Sequence, residues 1–417
     1  MINKWLPLIG LLLLGVIGGV WLEASENLIR IWGKDMGFLP KELDRLNMIE
    51  ILSSFKFLWS PVFVLSIGWR GWSSRRLWLI LMMMVSVISV TCLAFLPFFG
   101  ILFLMVLACL IIGRVSFDML VIAAQIDAVD RSYWGLSENF CVNGYRLGIM
   151  ISGSGALFLS HYAFSWSQIY LGMALVGFIF LIIVGFSKGF NFLDTVKKTP
   201  SAGFWFPLRQ WLIQPQSWVI LLLMLTFRMQ DGFFDSQRDY FLLSTVFTKP
   251  DLGLFKSMVL WLSVSGGILS GLSIRYYGYA ATLTGAVYLH GTAALLIFLS
   301  TLWPQTIPWV GIFFMIEQFT RGFAIISLFS FQLVCCQVQY AVSQLALLTA
   351  FSDLGFRLAS LRSGWIAQEM GWSFLFGLAT FINMPLLGIV RKSLRVQFIQ
   401  GALTIRRAKK EGEGQGS

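Results

Sequence analysis

The stretch 98–126, FFGILFLMVLACLIIGRVSFDMLVIAAQI, contains two charged residues, Arg114 and Asp118. A helix of that length crosses the ~30 Å hydrocarbon core of a bilayer. A charge at mid-bilayer costs about 2.5–3.5 kcal/mol on insertion scales, so neither residue belongs on a lipid-facing surface. Four residues apart, the two share one helical face and are opposite in sign. The stretch therefore predicts a membrane-spanning helix whose polar face turns toward protein or water.

The rest of the chain reads the same way. Its 417 residues are 57% hydrophobic, 16% aromatic and 12% charged, about half the charged fraction of a soluble chain. That excludes a water-soluble enzyme, a disulfide-rich secreted domain and a disordered regulator. Apolar runs between turn and charge signals predict twelve spans, at 5–30, 43–67, 77–96, 98–126, 134–160, 168–187, 217–246, 254–274, 279–302, 308–334, 340–366 and 370–390. The first run imitates a secretory signal but lacks a small-residue cleavage site, so an uncleaved first helix is expected. The connection Lys188–Gln214 is polar and basic, with prolines at 200 and 207 and a third at 215. It divides the chain into an N-terminal six-helix half (1–187), a linker (188–214), a C-terminal six-helix half (215–391) and a tail (392–417). The Gly-rich tail end, Lys409–Ser417, is expected to be disordered.

The formal net charge of +11 does not point to nucleic acid, because the basic residues gather on alternate connections. With the N-terminus inside, seventeen Lys and Arg, among them Lys4, Arg75, Arg76, Lys197, Lys198 and Lys410, fall on the inner side. Only Arg30, Lys34, Lys41, Lys249 and Lys256 fall outside or at the outer edge. Positive charge stays on the cytoplasmic side, so both termini and the linker are expected there. The five cysteines and the two histidines, His161 and His290, form no spaced ligand set and are read as packing residues.

Charges inside the spans follow a period. The first span carries Glu23 and Glu26, the fourth Arg114 and Asp118, the seventh Arg228, Asp231, Asp235, Arg238 and Asp239, and the tenth Glu317 and Arg321. The second, fifth and eleventh carry Glu50, Lys56, Arg146, Asp353, Arg357 and Arg362, whereas the third, sixth, ninth and twelfth carry none. A repeat every three helices fits three-helix units whose first helix lines a water-filled path and whose third faces lipid. This is the major facilitator architecture of two six-helix halves. Arg228/Asp231, Glu317/Arg321 and Asp353/Arg357 also share helical faces. Any single pair could equally be a structural neutralisation. Helix-end charges such as Arg30, Glu42, Arg238 and Asp239 are expected to reach the interface.

Beyond these patterns, the second span holds Phe55–Pro61 (FKFLWSP) and the fifth holds Gly144–Gly148 (GYRLG), followed by Ser152–Gly153. With Ser116–Asp118, Asp127, Phe227–Phe233, Glu317, Ser343–Leu348 (SQLALL), Gly355, Gly364–Trp365 and Gly371–Ser373 (GWS), these segments resemble the AmpG-type muropeptide permeases. That family consists of major facilitator proteins that carry cell-wall fragments inward, and the acetyl-coenzyme A transporters are its more distant relatives. Arg228 stands where the family has Lys, and Asp231 matches its Asp. Departures are Phe117 before Asp118 in place of Gln, Ile122 and Val64 in place of aspartates, and the altered segment Gly18–Ser25. Arg114, Arg321 and Arg357 have no evident counterpart, so the chain reads as a diverged paralogue.

The resemblance implies an amino-sugar pair bearing a peptide with several carboxylates. Lys56, Arg114, Arg146, Arg228, Arg321 and Arg357 could meet the carboxylates, their guanidinium forks suiting bidentate contacts. Trp21, Trp59, Tyr145 and Phe227 are candidates to lie against sugar rings, although most intramembrane aromatics are packing or interfacial residues. Asp118, Asp231 and Glu317 are candidate proton carriers, each with a basic neighbour on its face. The expectation is a monomeric secondary transporter of the bacterial inner membrane, with a small anion, protons and lipid as partners. No nucleic acid, metal or cofactor is expected, and no converging nucleophile and base suggests an enzyme. An acyl-coenzyme A or nucleotide-like anion, and a transport-inactive receptor, are the alternatives.

Single cysteines in a cysteine-free background should be labelled from outside at 33–42 and 247–253. Labelling of 188–214 in intact cells by an impermeant reagent would overturn this orientation.

Overall fold

Runs of Leu, Ile, Met and Ala favour helix, and in lipid a helix satisfies its own backbone hydrogen bonds. In the computed structural model the described residues are 2–59, 74–128, 134–162, 164–194, 206–214, 217–245, 247–302, 307–336 and 341–394. Ser60, Pro61, Val64, Arg131, residues 195–205 of the linker and the tail from 395 lie outside them. The described residues are helical with no strand. Eight of their helices are long and apolar enough to cross a membrane.

The longest of the eight, Lys249–Ser300, has 52 residues and is broken at Gly278, whose φ of +79° only glycine adopts freely. That break lies between the expected eighth and ninth spans. The seventh span is interrupted at Arg228, between helices Ser217–Phe227 and Met229–Thr245. In the second, helix Pro40–Glu50 tightens into a 3-10 segment, Ile51–Leu58. The first runs on to Asp35, five residues beyond expectation, because Arg30 and Lys34 meet protein partners. Arg30 pairs with Glu50 at 2.5 Å, and Lys34 reaches the Tyr240 carbonyl at 3.2 Å.

Burial follows the charge period. Spans Leu6–Asp35, Ile101–Gln125, Ser217–Thr245 and Trp309–Val334, which carry the expected interior charges, are 50–61% buried. Arg75–Leu93, Trp166–Phe186 and Trp372–Leu394 are 33% buried. On helix Trp166–Phe186, Leu175, Phe178, Ile179, Ile182 and Phe186 are exposed at helical spacing. So broad an apolar stripe is a lipid-facing surface.

The chain forms two compact units. The first comprises Met1–Ser201, Asp235–Leu260 and Ser360–Trp372. Its principal contact joins helix Ile2–Leu22 to Trp134–Ile149 through glycines four apart on both. A Cβ at Gly15 or Gly19 would collide with the carbonyl oxygen of Cys141 or Tyr145, and one at Gly144 or Gly148 with that of Leu12 or Val16. The GYRLG glycines are thus a helix-to-helix contact of the small-xxx-small kind. Two π-helical turns, Glu23–Asn27 and Met150–Ser154, follow on the same pair of chain segments. They meet where a Cβ on Gly153 would lie 2.9 Å from Glu23 Oε2. Nearby, Trp32 stacks on Trp166 and packs against Phe98 and Tyr170, whose hydroxyl donates to the Ala24 carbonyl at 2.8 Å.

The second unit comprises Ala202–Phe234, Trp261–Ala359 and Ser373–Ser417. It uses the same device: Gly266 and Gly322 abut the carbonyls of Phe319 and Ser263, and Gly232 and Gly355 those of Phe356 and Leu225. An apolar cluster that includes Trp211, Met224, Phe227, Phe323 and Phe331 fills its interior. At its edge, burial pushes the Cys336 thiol up to about 12, which keeps it protonated and inert.

Gly148→Leu should lower the thermal midpoint of the purified protein sharply, since overpacking costs about 1–3 kcal/mol even where neighbours can shift. Gly172→Ala, with nothing within 4 Å, should stay within about 1 kcal/mol. Equal stability of the two variants would contradict the backbone contact.

Candidate functional site

In the first unit, Arg114 on helix Ile101–Ala128 is 5% exposed. Its Nη2 lies 2.6 Å from Glu26 Oε1 in the first π turn, and its Nη1 lies 3.9 Å from Asp118 Oδ2. The expected helical pair exists, but the closer partner comes from another helix. Tyr145 hydrogen-bonds Arg114. Gly18 leaves room for this meeting, since a Cβ there would lie 3.1 Å from the Tyr145 ring and 3.2 Å from Asp118 Oδ1. Asp118, Arg114 and Tyr145 therefore converge. Trp59 donates from Nε1 to Ser116 Oγ at 3.0 Å, two residues along the helix from both Arg114 and Asp118. Lys56 and Arg146 are half-buried on their own helices. Trp21 is fully buried and fills the space beside Gly177, a packing environment.

A second network in this unit ties the segments 235–260 and 360–372 to the first helices. Lys256 bridges two carboxylates, Glu23 Oε2 at 3.2 Å and Asp239 Oδ2 at 3.1 Å. Arg238 bonds Asp239 at 3.1 Å and Asp235 at 3.0 Å. Neither Arg238 nor Asp239 reaches the interface as expected: both are buried, at 8% and 9% exposure, because their charges neutralise each other there. Asp44 accepts from the backbone N–H groups of Gly364 and Trp365 at 3.0 and 2.8 Å, and Asn47 donates to the Ser360 carbonyl at 2.7 Å.

In the second unit the charges centre on Asp231, 3% exposed. Arg228 Nε stands 3.5 Å from its Oδ2, and Arg321 Nε and His290 Nε2 stand 3.7 and 2.9 Å from its Oδ1. Arg228 sits at the break in the seventh span, so its guanidinium serves two helices. Its Nη1 also binds Asp353 Oδ1 at 2.9 Å. Glu317, accepting from Gln318 at 2.9 Å, brings a carboxylate oxygen within 4.8 Å of the Asp231 and His290 ligand atoms. A divalent cation would have to enter beside two guanidinium groups, those of Arg228 and Arg321, which already stand against Asp231. Arg228 and Arg357 both lie over the Phe356 ring, at 5.2 and 5.0 Å. Phe227 is 5% exposed within the apolar cluster, where its ring packs against protein.

His290 corrects the sequence reading. It is not a packing residue, since both ring nitrogens hydrogen-bond polar side chains. Glu26, Glu23 and Lys256 were likewise not singled out as site residues. The available signal was the same for all four: an ionisable group inside an apolar run needs a partner, even when none is near in sequence.

Removing Lys256 takes away the cation that pairs with buried Glu23, a loss that typically costs 3–5 kcal/mol, whereas Asp239 keeps Arg238. Lys256→Met should therefore lower the thermal midpoint markedly, and Glu23→Gln added to it should restore part of the loss. Additive losses in that double-mutant cycle would contradict the bridge.

No family model matches the chain. The AmpG 2 transporter of Rickettsia bellii (strain RML369-C) is 29% identical over 395 residues, 93% of this chain and 96% of that protein. The AmpG 2 transporter of Rickettsia prowazekii (strain Madrid E) is 29% identical over 385 residues, 90% of this chain and 92% of that protein. The anhydromuropeptide permease of Escherichia coli (strain K12) is 25% identical over 391 residues, 92% of this chain and 79% of that protein. All three are transporters or permeases by name, and none is an enzyme. Over at least 90% of its length this multi-pass helical chain is therefore similar to AmpG-type transporters and permeases.

Proposed function

We propose that the protein imports anionic cell-wall fragments, anhydro-muropeptides, across the bacterial inner membrane by proton symport with alternating access. The fold in this reading is the major facilitator arrangement of twelve spans in two six-helix halves, 1–187 and 215–391. The linker 188–214 and both termini are cytoplasmic, and the protein acts as a monomer. Lys56, Arg114, Arg146, Arg228, Arg321 and Arg357 are the proposed carboxylate contacts, with Trp21, Trp59, Tyr145 and Phe227 beside the sugars. Asp118, Asp231 and Glu317 are the proposed proton carriers.

The observation that carries the reading is the sharing of Arg228 between Asp231 and Asp353. An arginine held by two carboxylates can turn to a third, that of a solute, and leave one of its own free to take a proton. The similarity to a permease named for anhydromuropeptides supports the solute class. Energetics supports the proton. Moving one negative charge inward against an inside-negative potential costs about 2.3 kcal/mol per 100 mV, and a co-transported proton offsets it.

The network around Lys256 supports alternating access. Segments 235–260 and 360–372 are held to the first helices by ion pairs and hydrogen bonds that can exchange partners, not by apolar packing alone. This end of the chain, outside in the proposed orientation, is the natural gate.

Uptake into proteoliposomes tests the proposal. An inward pH gradient should drive accumulation of labelled anhydro-muropeptide, about tenfold per pH unit for one proton. Excess unlabelled muropeptide should suppress it and coenzyme A esters should not. Suppression only by coenzyme A esters or nucleotides would move the assignment to another anion, favoured by the additional arginines 114, 321 and 357. Binding without uptake would make the protein a receptor. Asp231→Asn should abolish gradient-driven accumulation while solute exchange remains measurable.

A further inference from the structure

The hydrogen bonds around His290 bear on where its protons sit. His290 is 3% exposed. Its Nδ1 lies 3.2 Å from Thr320 Oγ1, and its Nε2 lies 2.9 Å from Asp231 Oδ1. Thr320 Oγ1 is also 2.9 Å from the carbonyl oxygen of Glu317, one turn earlier. That carbonyl can accept the single hydroxyl proton of Thr320, and we take the hydroxyl as donating to it. Toward His290 the hydroxyl then offers a lone pair, and Nδ1 must be the donor. At the other end, an ionised Asp231 can also only accept, so Nε2 must be a donor too, unless Asp231 itself holds the proton. In either case the pair carries one proton more than a neutral imidazole and a carboxylate.

The surroundings agree. Arg228 and Asp231 face the ring from the seventh span, Glu317 and Arg321 from helix Ile307–Val334, and Asp353 joins through Arg228. Gln230 donates to the His290 carbonyl at 3.1 Å and is held by Asn383, which fixes the imidazole's backbone without adding charge. Arg228, Arg321 and His290 stand among the carboxylates of Asp231, Glu317 and Asp353, and Arg357 lies over the Phe356 ring with Arg228.

We infer that the Asp231–His290 pair is the proton-binding site of the transport cycle, loaded in this conformation, with Thr320 as the positioning residue that presents Nδ1–H. This rests on the symport reading and deepens it, adding a histidine to the coupling machinery. The proton enters on Nε2 or Asp231 Oδ1 and leaves from the same hydrogen bond, with no other bond made or broken. Arg228 supplies the link to solute. A carboxylate that draws Arg228 toward itself removes positive charge from beside Asp231, and the pair then holds its proton more tightly. By linkage, the loaded pair in turn favours the solute by the same factor.

Two measurements test the inference separately from the symport reading. The chain has two histidines, so His161→Asn leaves one ring to observe. His161 stands on helix Gly155–Tyr162, outside both charge clusters. In ¹⁵N-histidine NMR of that purified full-length variant near neutral pH, Nδ1 should be protonated, with Nε2 either protonated or accepting from Asp231. A bare Nδ1 beside a protonated Nε2 overturns the inference, whatever the protein transports.

The second measurement is uptake. If wild-type protein accumulates solute under a pH gradient, His290→Gln should lose about tenfold accumulation per pH unit while exchange remains measurable. Thr320→Val should change the pH dependence of uptake, because Nδ1–H loses its acceptor. Wild-type accumulation and pH profile in both variants would overturn the inference and leave symport standing. If wild-type uptake ignores the gradient, symport falls, and the NMR result still decides whether the pair holds a proton.

Discussion

Charge compensation in a medium that cannot solvate charge is the constraint on which the rest of this protein depends. Asp231 is held by His290, Arg228 and Arg321, and each partner lies on a different part of the chain. Arg228 in turn needs Asp353. One buried carboxylate thereby sets how the helices that bear Arg228, His290, Arg321 and Asp353 must be rotated about their axes. In the first unit Arg114 places the same demand on Glu26, and Lys256 on Glu23 and Asp239. In hydrocarbon, apolar side chains gain little by leaving lipid for protein, so polar contacts of this kind carry helix specificity that a hydrophobic core carries in water.

Close approach of backbones makes those contacts reachable. Where glycines at 15, 19, 144 and 148 let two helices touch carbonyl to Cα, the following residues are carried close as well. The paired π turns then set Glu23 against Gly153. Gly232 and Gly355 do the same for the helices that bear Asp231 and Asp353. Dispersion contacts and charge pairing are thus two results of one geometric choice. A bulky residue at any of these glycines separates the partners before it disturbs their chemistry.

Shared partners distinguish these clusters from inert neutral pairs. Lys256 and Arg228 each bridge two carboxylates, so each has two nearly equivalent places for its charge. A network of this kind can shift between arrangements without leaving any ion stranded, which is what a bistable element requires. Proton uptake at a carboxylate–histidine pair, and solute capture by an arginine, are two ways of biasing such an equilibrium.

The amino-acid sequence by itself determined the solvent, the helical spans and which residues within them are ionisable. It also determined which neighbours share a helical face, because hydropathy and the 3.6-residue period are local properties. Arg228 and Asp231 were readable as a pair, Gly278 sits between two expected spans, and the GYRLG glycines were visible before their contact was known. Only the tertiary structure decided that Arg114 answers first to Glu26, 88 residues away. It alone showed that Lys256 joins Glu23 to Asp239, and that His290, solitary in its apolar run, meets Asp231 and Thr320. Partners on different helices depend on the rotation, tilt and depth of each helix. Those are set by the packing of all the helices together, and no local pattern along the chain contains them.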